Sequence, residues 1–152
     1  MPFRPSRRLA ALSLAGALVA VPLAGCSSSG KVSVTEGTAA TSAPASGSHL
    51  DAEHFAAALK LPGTVILDVR TPAEFAQGHL QNALNLDIEN PGFVTQLDQI
   101  DKTKSYAVYC HSGNRSGAAL QAMAQMGFAE AYDLKGGIGA WENAGGSVVT
   151  GG

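Results

Sequence analysis

Two short runs of large apolar side chains constrain this chain more than anything else. Thr64-Val65-Ile66-Leu67-Asp68-Val69 and Tyr106-Ala107-Val108-Tyr109 show no alternation with polar residues. Runs of this kind suit strands buried on both faces, as in parallel sheets. Helical signals stand between and around them. Asp51 to Lys60 carries Phe55 and Leu59 on one face, with Ser48 or Asp51 as its cap. Thr71-Pro72-Ala73-Glu74 is a helix start with an N-cap, a proline at the first position and a glutamate at the third, and Gly78 ends it. Gly92 to Ile100 and Ser116 to Met126 read as helices, the second stopped by Gly127. Ala83 to Leu86 and Ala131 to Leu134 read as further strands, and Gly136-Gly137 as a tight turn into a helix from Ile138 to Asn143. Alternating strands and helices predict a single α/β domain with a central parallel sheet and helices on both faces. In such sheets ligands sit beyond the carboxyl ends of the strands. Asp68 and Cys110 both fall at such ends.

The chain has 152 residues, a length that makes one domain the starting estimate. A formal net charge of −2 lacks the basic field that nucleic-acid binding requires. The first residues have a different character. Arg4, Arg7 and Arg8 precede an apolar run from Leu9 to Leu23, and Leu23-Ala24-Gly25-Cys26 closes it. That order describes a secretory signal, and the run is shorter than a bilayer-spanning helix needs. Leu-Ala-Gly-Cys resembles a lipobox. The resemblance implies cleavage after Gly25 and a diacylglyceryl group on Cys26, with the mature protein held at a membrane in the cell envelope, facing away from the cytoplasm. The alternatives are an ordinary signal peptide with an incidental cysteine and a transmembrane anchor. Residues 27–48, rich in Ser, Thr, Ala and Gly, read as a flexible spacer. The resulting division is a lipoprotein signal over 1–25, lipidated Cys26 and linker over 26–48, and the folded domain over 49–150.

Chemistry concentrates in Tyr109-Cys110-His111-Ser112-Gly113-Asn114-Arg115-Ser116. A cysteine ends a strand, a short polar loop follows, and an arginine leads into a helix. Loop amides can form an anion nest around the sulfur, and the helix N-terminus adds a positive dipole end. Arg115 adds a full charge. Each of these favours the thiolate and would equally hold a persulfide anion. Gly113 gives the loop freedom from a Cβ. The plain alternative is a buried structural cysteine.

This segment resembles the active-site loop of the rhodanese superfamily, a Cys, four residues, an Arg and a Ser. Leu67-Asp68-Val69-Arg70 with Glu74-Phe75 and Gly78-His79-Leu80, then Ala83-Leu84-Asn85-Leu86, then Gly136-Gly137 through Trp141, resemble further motifs of that family in the same order. The resemblance spans roughly Leu50 to Val149. It implies a rhodanese-like domain acting as a sulfurtransferase, with Cys110 as the nucleophile. His111, Ser112, Gly113, Asn114, Arg115 and Ser116 would hold the substrate. Asp68 and Arg70 pair locally and brace the loop, and Glu74, four residues on, can join them. His79 and Trp141 read as scaffold.

Other functions fit less well. Phosphatases of this fold place five residues between Cys and Arg, and here there are four. Non-catalytic modules of this type typically lack the cysteine. A redox sensor would want a resolving thiol, and the mature chain holds none besides Cys110 once Cys26 is alkylated. The implied partners are a small sulfur donor such as thiosulfate or a persulfide, a cyanide, thiol or protein acceptor, and the membrane. No cofactor is implied, and His49, His54, His79 and His111 lack zinc-ligand spacing.

Overall fold

The structure is a computed structural model and describes residues 38–151. The signal segment and Cys26 lie outside the described residues. In chain order the elements are β1 (His49–Leu50), α1 (Ala52–Leu59), β2 (Thr64–Asp68), α2 (Pro72–Gln77), β3 (Leu84–Asn85), α3 (Phe93–Leu97), β4 (Ser105–Tyr109), α4 (Asn114–Gln125), β5 (Glu130–Leu134) and α5 (Gly137–Asn143). The strands form one five-stranded sheet in the order β1-β5-β4-β2-β3, with every pair parallel.

The apolar runs become the centre of this sheet because their side chains have a core on each side. Along β4, Tyr106 and Val108, followed by Cys110, face a cluster with Leu67, Val69, Leu97, Leu120 and Met123, covered by α3 and α4. Ala107 and Tyr109 face the opposite cluster with Phe55, Tyr132, Leu134 and Trp141, covered by α1 and α5. Period-two alternation thus assigns Cys110 to the α4 face. Phe55 meets Tyr132 and Trp141 edge-on, each at 6.2 Å, and the Trp141 indole N–H donates to the Ser147 carbonyl at 3.0 Å. Trp141 is therefore a core anchor, as its motif suggests.

The local signals act as read. Asp51 accepts the His54 amide at the start of α1. Thr71 and Glu74 form a reciprocal capping box on α2. Several elements differ from the reading in extent: α3 spans only Phe93–Leu97 of Gly92 to Ile100, and β3 only Leu84–Asn85 of Ala83 to Leu86. α4 begins at Asn114 rather than Ser116, because Gly113 adopts a left-handed conformation (φ 97°) and turns the chain into the helix two residues early. Arg115 thus belongs to the first turn of α4. β1 carries no apolar run, and its two residues gain their place by pairing with β5.

The described part of the stretch read as a spacer has partners on the domain. Ala40 N–H donates to the Ala57 carbonyl at 3.0 Å, and Gly47 N–H donates to that of Ala131 at 2.6 Å. Ser46 Oγ accepts the Ala131 amide at 3.2 Å. Residues 40–48 therefore lie along the domain. Their small side chains bring little apolar area, but their backbone groups have partners. Among the described residues, no helix is long and apolar enough to cross a membrane.

Candidate active site

Cys110 follows β4 directly and is fully buried. Gly113 N–H donates to its Sγ at 3.0 Å, and the Ser116 hydroxyl lies 3.6 Å from the same sulfur. The sulfur thus sits at the N-terminus of α4, whose N-cap residue offers no side chain to the helix. The geometry suits an anion, because the helix end leaves amide N–H groups unpaired and carries a positive dipole. Among the loop amides, that of Gly113 makes the contact with the sulfur.

Glycine is required at two positions around this loop. At Gly113 a Cβ would stand 3.1 Å from the Gly136 nitrogen on a backbone with positive φ. At Gly137 (φ 62°) a Cβ would stand 2.4 Å from the Cys110 carbonyl oxygen. That approach lets Ile138 N–H donate to the Cys110 carbonyl at 2.8 Å. The Gly136-Gly137 turn is thus the floor of the cysteine loop as well as the entry to α5.

Charged groups brace one flank. Arg70 donates to both oxygens of Asp68 at 2.6–3.0 Å, and the Asp68 carboxylate also accepts the Arg70 amide at 2.9 Å. Both side chains are buried, and Arg70 reaches on to the Gly78 carbonyl at 2.7 Å. Its guanidinium lies over the Tyr109 ring, 5.5 Å from the centroid. The Tyr109 hydroxyl accepts the Leu80 amide at 3.0 Å, and burial pushes its ionisation well above the ordinary range. Asn85 donates to the carbonyls of Asp68 and Arg70. The local Asp68–Arg70 pair is as the sequence suggests, while the parts played by Tyr109 and Asn85 were not apparent from it.

Glu74 behaves differently from expectation. It does not join Arg70. Its two oxygens take a two-point bridge from Arg115 at 2.6 and 2.8 Å. This bridge, foremost, brings the Glu74 carboxyl down to about 2 and pushes the Arg115 guanidinium further up. Glu89 takes a third bond from Arg115 at 3.2 Å. The charge expected to stand free beside the sulfur is therefore neutralised by two carboxylates. The cause is the early start of α4, which aims Arg115 at the capping box of α2.

The other flank was not anticipated. Asp133, buried on β5, accepts the Ser116 hydroxyl at 2.6 Å, and its second oxygen is 2.6 Å from His49 Nδ1. The β1–β5 register places His49 opposite Asp133. His111, Ser112 and Asn114 expose their side chains around the loop. A cleft of about 330 Å³ lies on the Arg70 side, lined by Glu74, Gln77, His111, Ile138 and Glu142. A hollow of about 350 Å³ lies on the His49 side, lined by Ser112, Asn114, Asp133 and Lys135. His79 is scaffold, its ring stacked on Phe75 at 3.6 Å and its Nδ1 2.9 Å from the Phe75 carbonyl.

A parallel α/β domain that presents a cysteine at a strand end, under the N-terminus of the next helix, defines a class of thiol-bearing domains. Within that class the chain belongs to the family described as the rhodanese-like domain, whose profile matches residues 51–144. A sulfurtransferase of Allochromatium vinosum is 36% identical over 85 residues, covering 56% of this chain and 78% of that protein. The thiosulfate sulfurtransferase GlpE of Ectopseudomonas mendocina is 35% identical over 83 residues, covering 55% and 74%. A tRNA uridine(34) hydroxylase of Onion yellows phytoplasma is 34% identical over 96 residues, covering 60% of this chain and only 31% of its own length. The rhodanese-like domain of the Alr3790 protein from Anabaena sp. is 28% identical, with a TM-score of 0.60, covering 67% of this chain and 78% of that one.

Proposed function

We propose that this domain is a sulfurtransferase in which Cys110 carries a sulfane sulfur as a persulfide. The observation that carries the reading is the sulfur at the N-terminus of α4, holding the Gly113 amide at 3.0 Å. The names of two relatives at about 35% identity support it. The Cys110 thiolate attacks the outer sulfur of the donor. A new S–S bond forms at Cys110 while the donor's bond to that sulfur breaks, and sulfite or a thiolate leaves with the electron pair. A nucleophilic acceptor then takes the outer sulfur, and the Cys110 thiolate leaves. His111, Ser112 and Asn114 meet the donor and acceptor at the loop. Asp68, Arg70 and Glu74 hold the loop in shape.

Both guanidiniums near the loop are engaged by carboxylates, Arg70 by Asp68 and Arg115 by Glu74 and Glu89. This favours donors of low charge, such as small persulfides, over dianionic thiosulfate. The buried thiol also implies that the loop parts to admit a donor. Intact mass after incubation with polysulfide and with thiosulfate tests the proposal. Each sulfur adds about 32 Da, cyanide removes it, and Cys110→Ser gains nothing while still folding. Hydrolysis of an aryl phosphate with no sulfur gained would replace this reading with a phosphatase.

The lipobox resemblance extends the proposal. Cys26 carries the lipid, and the domain works at a membrane surface on its extracytoplasmic side. Mass analysis of the mature N-terminus in a lipoprotein-processing host decides this. A diacylglyceryl adduct on Cys26 supports the anchor, and an unmodified Cys26 at the mature end rejects it.

A further inference from the structure

The Ser116 hydroxyl has one proton and three acceptors within reach. These are Asp133 Oδ2 at 2.6 Å, the Gly113 carbonyl at 3.0 Å and Cys110 Sγ at 3.6 Å. Asp133 is the shortest contact and the charged acceptor, and it holds the proton while Cys110 is a thiol that donates to Ser116 Oγ. That arrangement fails once the sulfur is an anion. The Ser116 oxygen would then turn a lone pair toward a negative sulfur in a fully buried position. A rotation about the Cβ–Oγ bond brings the proton to Sγ instead, and no covalent bond changes. The rotation leaves Asp133 Oδ2, itself buried, without its donor. The remaining partner of that carboxylate is His49, 2.6 Å from Oδ1.

We propose that His49 and Asp133 are positioning residues for the Cys110 sulfur, and that they decide whether the Ser116 hydroxyl is free to donate to it. His49 steadies the Asp133 carboxylate from one side, so that Asp133 releases the Ser116 proton on the other. The His49 side chain is 61% exposed, while its partner stays buried. The charged and titratable groups that line the hollow beside this line are Asp133 and Lys135, from β5 and its following turn; His111 faces the cleft on the Arg70 side. From α4 comes Arg115, already bound to Glu74 and Glu89. The proposal rests on sulfur transfer only in taking the anionic sulfur as the working form.

The test is the rate at which iodoacetamide alkylates Cys110 in the purified chain across pH, read on the Cys110 peptide by mass, with a thermal melt for each variant. His49→Ala leaves Asp133 holding the Ser116 proton, so alkylation at neutral pH slows about fivefold, the worth of one net hydrogen bond, and the profile moves to higher pH. Asp133→Asn removes the competing charge. The double variant His49→Ala/Asp133→Asn therefore alkylates at least as fast as the wild type. His49→Gln, which keeps a neutral donor, falls between wild type and His49→Ala and replaces the latter should it fail to fold. A folded His49 variant with the wild-type profile overturns the proposal, and so does a folded double variant as slow as His49→Ala. A wild type that alkylates as described yet gains no sulfur from polysulfide refutes the transferase reading and leaves this one standing.

Discussion

The two flanks of the cysteine loop are built from different materials. On the β2–α2 flank, Asp68, Arg70, Glu74 and Arg115 form two ion pairs, one buried and one about a quarter exposed. On the β1–β5 flank, one exposed imidazole, one buried carboxylate and one hydroxyl form a single line ending at the sulfur. The first flank holds the loop through guanidiniums that are bound to carboxylates, Arg70 to Asp68 and Arg115 to Glu74 and Glu89. The second touches Sγ through Ser116. A charged residue near a reactive sulfur is thus not by itself evidence that its charge acts there. What matters is where that charge is already committed.

Breaking the buried pair should have the largest effect on stability. Arg70→Ala leaves Asp68 buried without its counter-ion and removes the bond to the Gly78 carbonyl. Unfolding in urea should show a loss of about 3–5 kcal/mol. A loss under 1 kcal/mol would mean that this flank is dispensable as a brace. Removal of residues before position 49 comes next. It deletes the backbone bonds of Ala40 and Gly47 and the Ser46 contact, and loosens the β1 end where His49 sits. A loss of about 2 kcal/mol relative to a chain starting at residue 38 is expected, and an unchanged melt would mean that these bonds contribute nothing.

Acid separates the exposed pair from the rest. The Glu74 carboxyl is lowered in the folded state, from 4.5 to about 2, chiefly by Arg115. Its contribution is therefore present in full above pH 4.5 and lost as pH falls toward 2. With allowance for solvent screening this amounts to about 1 kcal/mol. Asp51 and Asp101 are also lowered and lose stability with acid. The difference between wild type and Glu74→Gln over that window isolates the pair, and parallel curves would show that Glu74 gains nothing from Arg115. The smallest effect on stability should come from His49→Ala, under about 1 kcal/mol because one partner is exposed. A larger loss would make His49 a structural residue first.

Much of the fold was legible because it depends on local rules. The apolar runs of β2 and β4 can only be buried on both faces, the Thr71-Glu74 box starts a helix on its own bonds, and a cysteine after a buried strand stands at the sheet's carboxyl edge. The Asp68–Arg70 pair was legible for the same reason, since a single residue, Val69, separates its partners. The extent of residues 40–48 along the domain was not. Their composition predicts little apolar burial, and it is their backbone that finds partners.

Arg115 and His49 mark the limit of the sequence. The residues alone placed Cys110, its loop and its helix together. They did not reveal that Arg115 turns to Glu74, because that follows from a helix beginning two residues early at a left-handed Gly113. Nor did they reveal that His49 reaches the sulfur's neighbours. His49 and Asp133 are 84 residues apart, and only the pairing of β1 with β5 makes them opposite each other. A side chain's type is fixed by sequence, but its hydrogen-bond partner is whichever group the packed sheet brings within 3 Å.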